Sequence, residues 1–488
     1  MMASAGAGGS WIIQMDNETS QTSFAYQFIS LTPASLEVLS DGSIAVLGYS
    51  RSSSTYRQYI FKFDADGNLL TRKRLGDTAT GSTSSLDLGW MFATSDDELY
   101  CYNYYYTSAD ASTQGYVMKI AEDLSTVENL YKMQSVGWYR NGFNYLPSSE
   151  YFTSPYSNYF ITQGITGSAP ATAYARYTNA PNSASQVGSF HDNAYATTNQ
   201  SYFVETATGN PKYFVFRKGS GGILQDATAW SKSVYWGSDE IKGDGIITSP
   251  YRQGSSTSGS YDLYFGGSGK LSTKGYITPI LIVLDESTGN TNAFRYVYYY
   301  TGTNSSTQGL GVDSSGNIFI NEYRSGFNNE FVIHKFDSSF NHEKSLRFSR
   351  TGASSSQDFY LGDDSLGKWS TIRFSPEEDF MYINGAGPFM SGTYSSAGSF
   401  VMKLPTDMSL TGTFDFPATS LPFTDPASAP QFVITDVTSS TSSGTFTKSV
   451  SSTSWTTSTL NNFSQLLRSF TPVSDTNSDS LTTYTGSL

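Results

Sequence analysis

The feature that most constrains this chain is the recurrence of one short pattern: an apolar strand-length run, a tight Asp/Gly turn, and a second run. Apolar and aromatic residues come in runs of four to seven, separated by clusters of Ser, Thr, Gly, Asn and Asp. In Ser35-Leu-Glu-Val-Leu-Ser-Asp-Gly-Ser-Ile-Ala-Val-Leu-Gly-Tyr49 the Asp41-Gly42 pair sits between two apolar strands and supplies a hairpin turn. Leu310-Gly-Val-Asp-Ser-Ser-Gly-Asn-Ile-Phe-Ile320 and Ile372-Arg-Phe-Ser-Pro-Glu-Glu-Asp-Phe-Met-Tyr-Ile383 repeat it. A second unit follows the first, exemplified by Tyr59-Ile-Phe-Lys-Phe-Asp-Ala-Asp-Gly-Asn-Leu-Leu-Thr-Arg-Lys-Arg-Leu75, with echoes starting near Trp11, Tyr116, Tyr174, Tyr213, Ile280, Phe331 and Phe400. Successive starts lie roughly 40 to 70 residues apart, which brackets the ~40–50 residues of a four-stranded propeller blade plus loop insertions. A pair of β-sandwiches is the competing reading, because it also spaces turns at short intervals. The recurrence of hairpin, apolar strand, turn and polar strand as one unit favours the propeller.

Composition narrows the function classes. Charged residues make up 15% of the 488 and aromatic residues another 15%, which suits neither a helical bundle nor a disordered chain. A net charge of -13 opposes phosphate backbones and anionic lipid, so nucleic-acid binding and membrane insertion are not expected. A single cysteine excludes a disulfide framework and Cys-built zinc sites, and Cys101 reads as a small buried residue. The first ten residues lack the basic and apolar regions of a secretory signal, and no apolar run approaches the ~18 residues of a membrane helix.

The runs Asp313-Ser-Ser-Gly-Asn-Ile-Phe-Ile320 and Asp41-Gly-Ser-Ile-Ala-Val-Leu-Gly48, followed by Tyr59-Ile-Phe-Lys-Phe-Asp-Ala-Asp-Gly-Asn68, resemble the SBBP-type β-propeller repeats of bacterial and phage proteins. The resemblance spans about residues 11 to 416 and is strong in two or three units; residues 151–188 and 192–230 match poorly. It implies an all-β fold, a β-propeller of seven or eight four-stranded blades with a Ser/Thr-rich C-terminal extension. The expected organisation is a flexible N-terminus over 1–10, a propeller over 11–450 closed by N- and C-terminal strands, and a tail or intermolecular arm over 451–488. Residues 11–29 read as half a blade whose missing hairpin would come from Gln431-Phe-Val-Ile-Thr435 and Gly444-Thr-Phe-Thr-Lys-Ser-Val450. One short helical turn is expected within residues 460–470.

No motif supplies catalytic parts. Asp64-Ala-Asp-Gly-Asn68 opens like a calcium loop, yet Leu75 stands where that loop needs a bidentate Glu, so it reads as a hairpin turn. Ser85-Leu-Asp-Leu-Gly-Trp-Met-Phe92 partly matches the Asp-box of sialidase propellers, as a single copy ending in Phe. His191, His334 and His342 have no zinc spacing, and the last two flank a turn expected on a surface hairpin. Asp96-Asp97, Asp363-Asp364 and Glu377-Glu378 read as solvated loop acids. The tyrosine runs Tyr102-Asn-Tyr-Tyr-Tyr106 and Tyr296-Val-Tyr-Tyr-Tyr300 make Tyr104, Tyr106, Tyr298 and Tyr300 the ligand or interface aromatics, with inter-blade packing as the alternative use. No catalytic residue, metal site or cofactor is assigned.

The expected function is that of a non-enzymatic structural protein of a bacteriophage particle, similar to marine phage virion proteins, in a tail, nozzle, fibre or capsid decoration. Its expected partners are other virion proteins, further copies of itself and a host surface glycan, and its location is the virion, assembled in the host cytoplasm. The alternative is a secreted or cell-surface bacterial propeller that binds or hydrolyses glycans.

Overall fold

The computed structural model describes the backbone of the strands below and of the tight turns joining several of them. Side chains are described for residues 35–48, 59–71, 73, 91, 93, 96–101, 119–124, 262–266, 279–290, 292, 309–322, 331–348, 372–384 and 401–411. Every described element is a β-strand, and every described pairing is antiparallel. The chain opens with β1 (Trp11–Asp16) and β2 (Thr22–Phe28). Sheet 1 follows as a meander of β3 (Thr32–Val38), β4 (Ile44–Ser52), β5 (Thr55–Phe63) and β6 (Leu69–Leu75). Sheet 2 contains β7 (Leu86–Ala93), β8 (Leu99–Thr107), β9 (Ser112–Ile120) and β10 (Val127–Met133). Sheet 3 is built from β11 (Asn144–Leu146), β12 (Tyr151–Tyr156), β13 (Tyr159–Gly164) and β14 (Thr172–Tyr177). Sheet 4 has β15 (Gln186–Phe190), β16 (Tyr202–Ala207), β17 (Tyr213–Gly219) and β18 (Thr228–Tyr235). Sheet 5 has β19 (Tyr251–Ser255), β20 (Ser260–Lys270), β21 (Ile277–Asp285) and β22 (Thr291–Tyr298). Sheet 6 has β23 (Ser305–Val312), β24 (Ile318–Arg324), β25 (Glu330–Phe336) and β26 (His342–Arg350). Sheet 7 joins β27 (Arg373–Phe374), β28 (Phe380–Gly387) and β29 (Gly398–Pro405) to β2 and β1.

The remaining strands return to sheets already built. β30 (Gly412–Asp415) and β31 (Gln431–Asp436) extend sheet 6 beyond β26, and β32 (Ser440–Ser443) pairs with β22. Then β33 (Thr447–Ser449) pairs with β18, β34 (Trp455–Thr459) with β14, and β35 (Val473–Ser474) with β6. The C-terminal chain therefore visits sheets 6, 5, 4, 3 and 1 in reverse order, adding strands to their outer edges.

Three expectations change. The sheets are not uniformly four-stranded: among the described residues only sheet 2 is, because the returning strands pair with edges that a meander leaves open. The hairpin that completes the N-terminal strands is β28 and β29, with Phe24 opposite Lys403; the stretches at 431–435 and 444–450 contribute strands to sheets 6 and 4 instead. The stretch read as a tail supplies β34 and β35 to sheets of its own chain, while the helical turn expected within 460–470 lies outside the described residues.

The core lies between successive sheets. Leu47, Ile60, Met91, Leu99 and Cys101 join sheets 1 and 2, and Val46, Phe61, Tyr382 and Val401 join sheets 1 and 7. Phe319, Phe331, Phe348, Met381 and Met402 join sheets 6 and 7, while Tyr264, Val283, Ile320 and Phe336 join sheets 5 and 6. Ala45 and Leu47 pack toward sheet 2 and Ile44 and Val46 toward sheet 7, so both faces of β4 are apolar. That explains the continuous rather than alternating apolar runs of the sequence. Cys101 is fully buried, as its sequence context indicated, and loss of hydration raises its thiol pKa far above the ordinary value.

Candidate functional site

In an antiparallel meander the hairpins from first to second strand and from third to fourth emerge at the same end of the sheet, and in sheets 6, 7, 1 and 2 the described turns meet those of the next sheet. In sheets 1, 5 and 6 the turns of the third-to-fourth class are stitched by their own aspartates. Asp64 Oδ1 accepts from the backbone N–H of Asp66 and Asn68, at 3.0 and 2.8 Å, while its Oδ2 accepts from Asn68 Nδ2 at 2.8 Å. Asp337 does the same with Ser339 and Asn341, and the Asn341 side chain and backbone N–H hold its carboxyl below the usual range. These carboxylates serve their own turns, so the turn reading of Asp64-Ala-Asp-Gly-Asn68 matches the geometry. Each such turn requires one left-handed residue: Gly67 (φ 84°) and Gly289 (φ 67°) meet the need without side chains. Leu124 and Phe340, at φ 59° and 65°, meet it with apolar side chains packed into or against the core, offsetting the backbone cost, and Met408 (φ 56°) does the same in the turn that leads from β29 to β30.

The first-to-second turns touch one another across sheets. Asp97, at φ 60°, accepts from Ser40 N at 2.8 Å and from the Ser40 hydroxyl, tying sheet 2 to sheet 1. Glu378, also at φ 60°, accepts from Ser314 N at 2.9 and 3.0 Å and from the Ser314 hydroxyl, tying sheet 7 to sheet 6. Between sheets 7 and 1 the corresponding positions hold Pro376 and Gly42, and a Cβ on Gly42 would stand 4.0 Å from Pro376 Cδ. That junction is held instead by Arg373, whose Nε and Nη2 donate to Glu37 at 2.9 and 2.8 Å, and by Lys403 Nζ, which donates to Ala65 O at 2.7 Å. Lys403 also lies 4.2 Å from the Phe380 ring centroid, and its burial lowers its pKa despite Asp66, Asp64 and Glu377 nearby. The reading of Asp96-Asp97 and Glu377-Glu378 as solvated acids is therefore corrected for Asp97 and Glu378, which act as inter-sheet clamps; Asp363-Asp364 lies outside the described residues.

A second polar assembly is buried in sheet 6. His334 is fully buried, not on a surface hairpin as expected, because both faces of β25 pack against neighbouring sheets. Its Nε2 meets Glu322 Oε2 at 2.7 Å, its Nδ1 meets Ser345 Oγ at 2.7 Å, and Ser345 Oγ meets His342 Nε2 at 2.7 Å. Register produces this row, since His334 sits opposite Ser345 on β26 and opposite Ile320 on β24, two residues from Glu322. Glu322 Oε1 is buried without a hydrogen-bond partner. His342 is partly exposed, and burial together with the neighbouring His334 lowers its pKa to about 4. Acid, imidazole and hydroxyl thus stand in hydrogen-bonding sequence, as in a hydrolase triad, but with Ser345 1% exposed a substrate has no approach to the hydroxyl. Adjacent sequence positions gave no hint of this set, which three strands bring together from 322, 334, 342 and 345.

Of the aromatics singled out from sequence, Tyr104 and Tyr106 fall on β8 opposite Gly115 and Thr113, and Tyr298 falls on β22 opposite Ser440. Their side chains and the whole of Tyr300 lie outside the described residues. The Asp-box stretch forms part of β7, with a register irregularity between Asp87 and Trp90. Among the described residues no group of three or more His, Cys, Asp or Glu stands close enough to hold a metal ion.

No family model and no curated protein sequence matches the chain. Among solved structures, the Dos1 propeller is similar at 11% identity and a TM-score of 0.41, over 81% of this chain and 95% of the other. A putative 6-phosphogluconolactonase from Bacteroides uniformis gives 12% identity and a TM-score of 0.39, over 69% of this chain and 95% of that one. An α-L-arabinofuranosidase from Fusarium graminearum gives 11% identity and a TM-score of 0.36, over 76% and 92%. Likenesses this distant identify no activity. Two of these three structures bear the names of enzymes, against the expectation that the chain is not one.

Proposed function

We propose that the chain is a structural component of a bacteriophage particle, in a tail, nozzle, fibre or capsid decoration, built as a seven-bladed propeller with one sheet per blade. The N-terminal strands complete the seventh blade, and the C-terminal strands form a belt along blades 6, 5, 4, 3 and 1. The observation that carries this reading is the return of β31 to β35 to the edges of five sheets. A ring in which five of seven blades are bonded to one continuous returning chain resists opening at the junctions that chain spans, as a particle component under mechanical load must. The belt also covers edges that would otherwise template uncontrolled strand pairing. The resemblance of two or three units to SBBP-type repeats supports the same reading, as does the turn side, where short stitched hairpins and inter-sheet clamps offer a surface for subunit docking. The partners on this reading are other virion proteins and further copies of the chain, with a host glycan at the tyrosine-bearing strands.

Light scattering on the purified chain, with and without residues 461–488, tests it. A defined oligomer well above the 53.3 kDa monomer is expected, and its loss on deletion would assign subunit contacts to that segment. A strict monomer that cleaves a polysaccharide would overturn the particle reading in favour of a glycan-processing propeller.

A further inference from the structure

The buried row in sheet 6 has a property that a passive hydrogen-bond network lacks. Two arrangements of protons satisfy it, and they differ by one proton. With Glu322 ionised, His334 Nε2–H donates to the carboxylate, so His334 Nδ1 must accept from the Ser345 hydroxyl. Ser345 Oγ then accepts from His342 Nε2–H, and every donor points inward toward Glu322. If His342 takes a proton on Nδ1, its Nε2 proton can pass to Ser345 as the serine proton passes to His334 Nδ1. The added charge then rests in the His334–Glu322 pair, and both hydrogen bonds of Ser345 have reversed direction while His334 Nε2–H still donates to Glu322. No bond other than O–H and N–H changes, and the only reactant is a solvent proton.

We propose that His342, Ser345, His334 and Glu322 form a proton relay from the partly exposed end of sheet 6 to its buried interior, making the junction of sheets 5 and 6 responsive to acid. The relay lies on the sheet face that packs toward sheet 5, where His334 and Glu322 alternate with the apolar Ile320 and Phe336 of that junction. The charged and titratable groups on that face are Arg347 of β26 with Asp262 and Tyr264 from sheet 5, and Glu343 acts on His342, while Lys335 and its cross-strand partner Lys344 lie on the face toward sheet 7. A hydrogen bond with the Lys344 backbone and, more weakly, the Glu343 carboxylate favour the protonated form of His342. Burial and the neighbouring His334 oppose protonation more strongly. A histidine held neutral in the fold but free to protonate when unfolded costs stability as pH falls. The contribution is intact above about 6.5 and lost between there and about 4.

The chain contains only three histidines, so selective ¹⁵N-histidine labelling of the full-length protein reads the relay directly. The His334 resonances are expected to move in the same step in which His342 takes up its proton, and Ser345→Ala should uncouple the two. In denaturant titrations, His342→Gln, whose amide still donates to Ser345, should flatten the loss of stability between pH 6.5 and 4 relative to the unsubstituted chain. A His334 resonance that stays fixed while His342 titrates would overturn the relay. So would a pH slope unchanged in His342→Gln, even if Ser345→Ala fails to fold.

Discussion

The junction between sheets 7 and 1 and the junctions flanking it solve one problem with opposite residues. Where a sheet offers a serine at the second position of its turn, as at Ser40 and Ser314, the next sheet answers with an acid in the left-handed conformation, Asp97 or Glu378. Where a sheet offers Pro376, which has no N–H to give, the next sheet answers with Gly42, which has no side chain to offer. At these three junctions complementarity between consecutive turns is thus written at two positions, and the two acids that take φ near 60° among the described residues each have donors for their carboxylates. The 7–1 junction lacks the clamp and places its electrostatics deeper, in the Arg373–Glu37 pair, whose side chains are 21% and 8% exposed.

That contrast makes the pair the largest single contributor to break. Arg373→Ala should cost about 3 kcal/mol, because it strands the buried Glu37 carboxylate as well as removing two charge-assisted bonds. Arg373→Lys should recover only part, since an ammonium does not reproduce the bidentate fork. Denaturant unfolding of both variants measures the difference, and a loss under about 0.5 kcal/mol in Arg373→Ala would mean that the apolar cluster alone holds the junction.

The 6–7 junction has a clamp at the turn and tight packing beneath it. A Cβ on Gly311 would stand 2.8 Å from Ile372 Cβ and 3.0 Å from Phe374 Cζ, so Gly311→Ala forces the sheets apart. A loss of about 2 kcal/mol is expected by the same measurement. Trimming the obstruction with Ile372→Val in the same chain should restore only part, since the first contact is with the β-carbon that valine retains.

How much of this was visible in the chain depends on the range of the interaction. The turns at Asp41-Gly42, Asp64-Ala-Asp-Gly-Asn68 and Asp313-Ser-Ser-Gly-Asn317 were legible because a left-handed glycine and an Asn-capped aspartate are local requirements. So was the repeated strand pair. The edges joined by β31 to β35 were not, because a short Ser/Thr-rich strand is compatible with any open edge and carries no register signal. Nor were the clamps, since Glu377-Glu378 looks like any exposed acidic pair until the next sheet brings Ser314 within 3 Å. His334 misled for a related reason. Its strand packs on both faces, so Phe331, Ile333 and Phe336 show no clean alternation from which a buried polar position could be read.

The clamps themselves should be worth less than the buried pair. Glu378→Ala is expected to lose about 1 kcal/mol, leaving Ser314 N without its acceptor while keeping a strained Cβ residue in place. Glu378→Gly should lose less, because glycine relieves the left-handed strain as it removes the carboxylate. If the two variants lose the same amount, the positive φ is not a cost that the clamp offsets.

The smallest effect is the most discriminating, because it asks whether the code can be moved. Pro376→Ser alone should be nearly neutral, since it creates an N–H with no acceptor across the junction. Gly42→Asp alone should cost about 1 kcal/mol, for an aspartate at φ 80° facing a proline. Together they rebuild at the 7–1 junction the pair that Ser40 and Asp97 make at the 1–2 junction. The double variant should be more stable than the sum of the singles by about 0.5 kcal/mol or more, read as the coupling energy of a double-mutant cycle. The Cβ at position 42 has room, with Ala65 Cβ at 3.5 Å, so steric failure is not the expected obstacle. A coupling indistinguishable from zero would show that the acid and serine meet because the 1–2 and 6–7 junctions are already spaced for them, and that the turns follow the packing of the sheets instead of setting it.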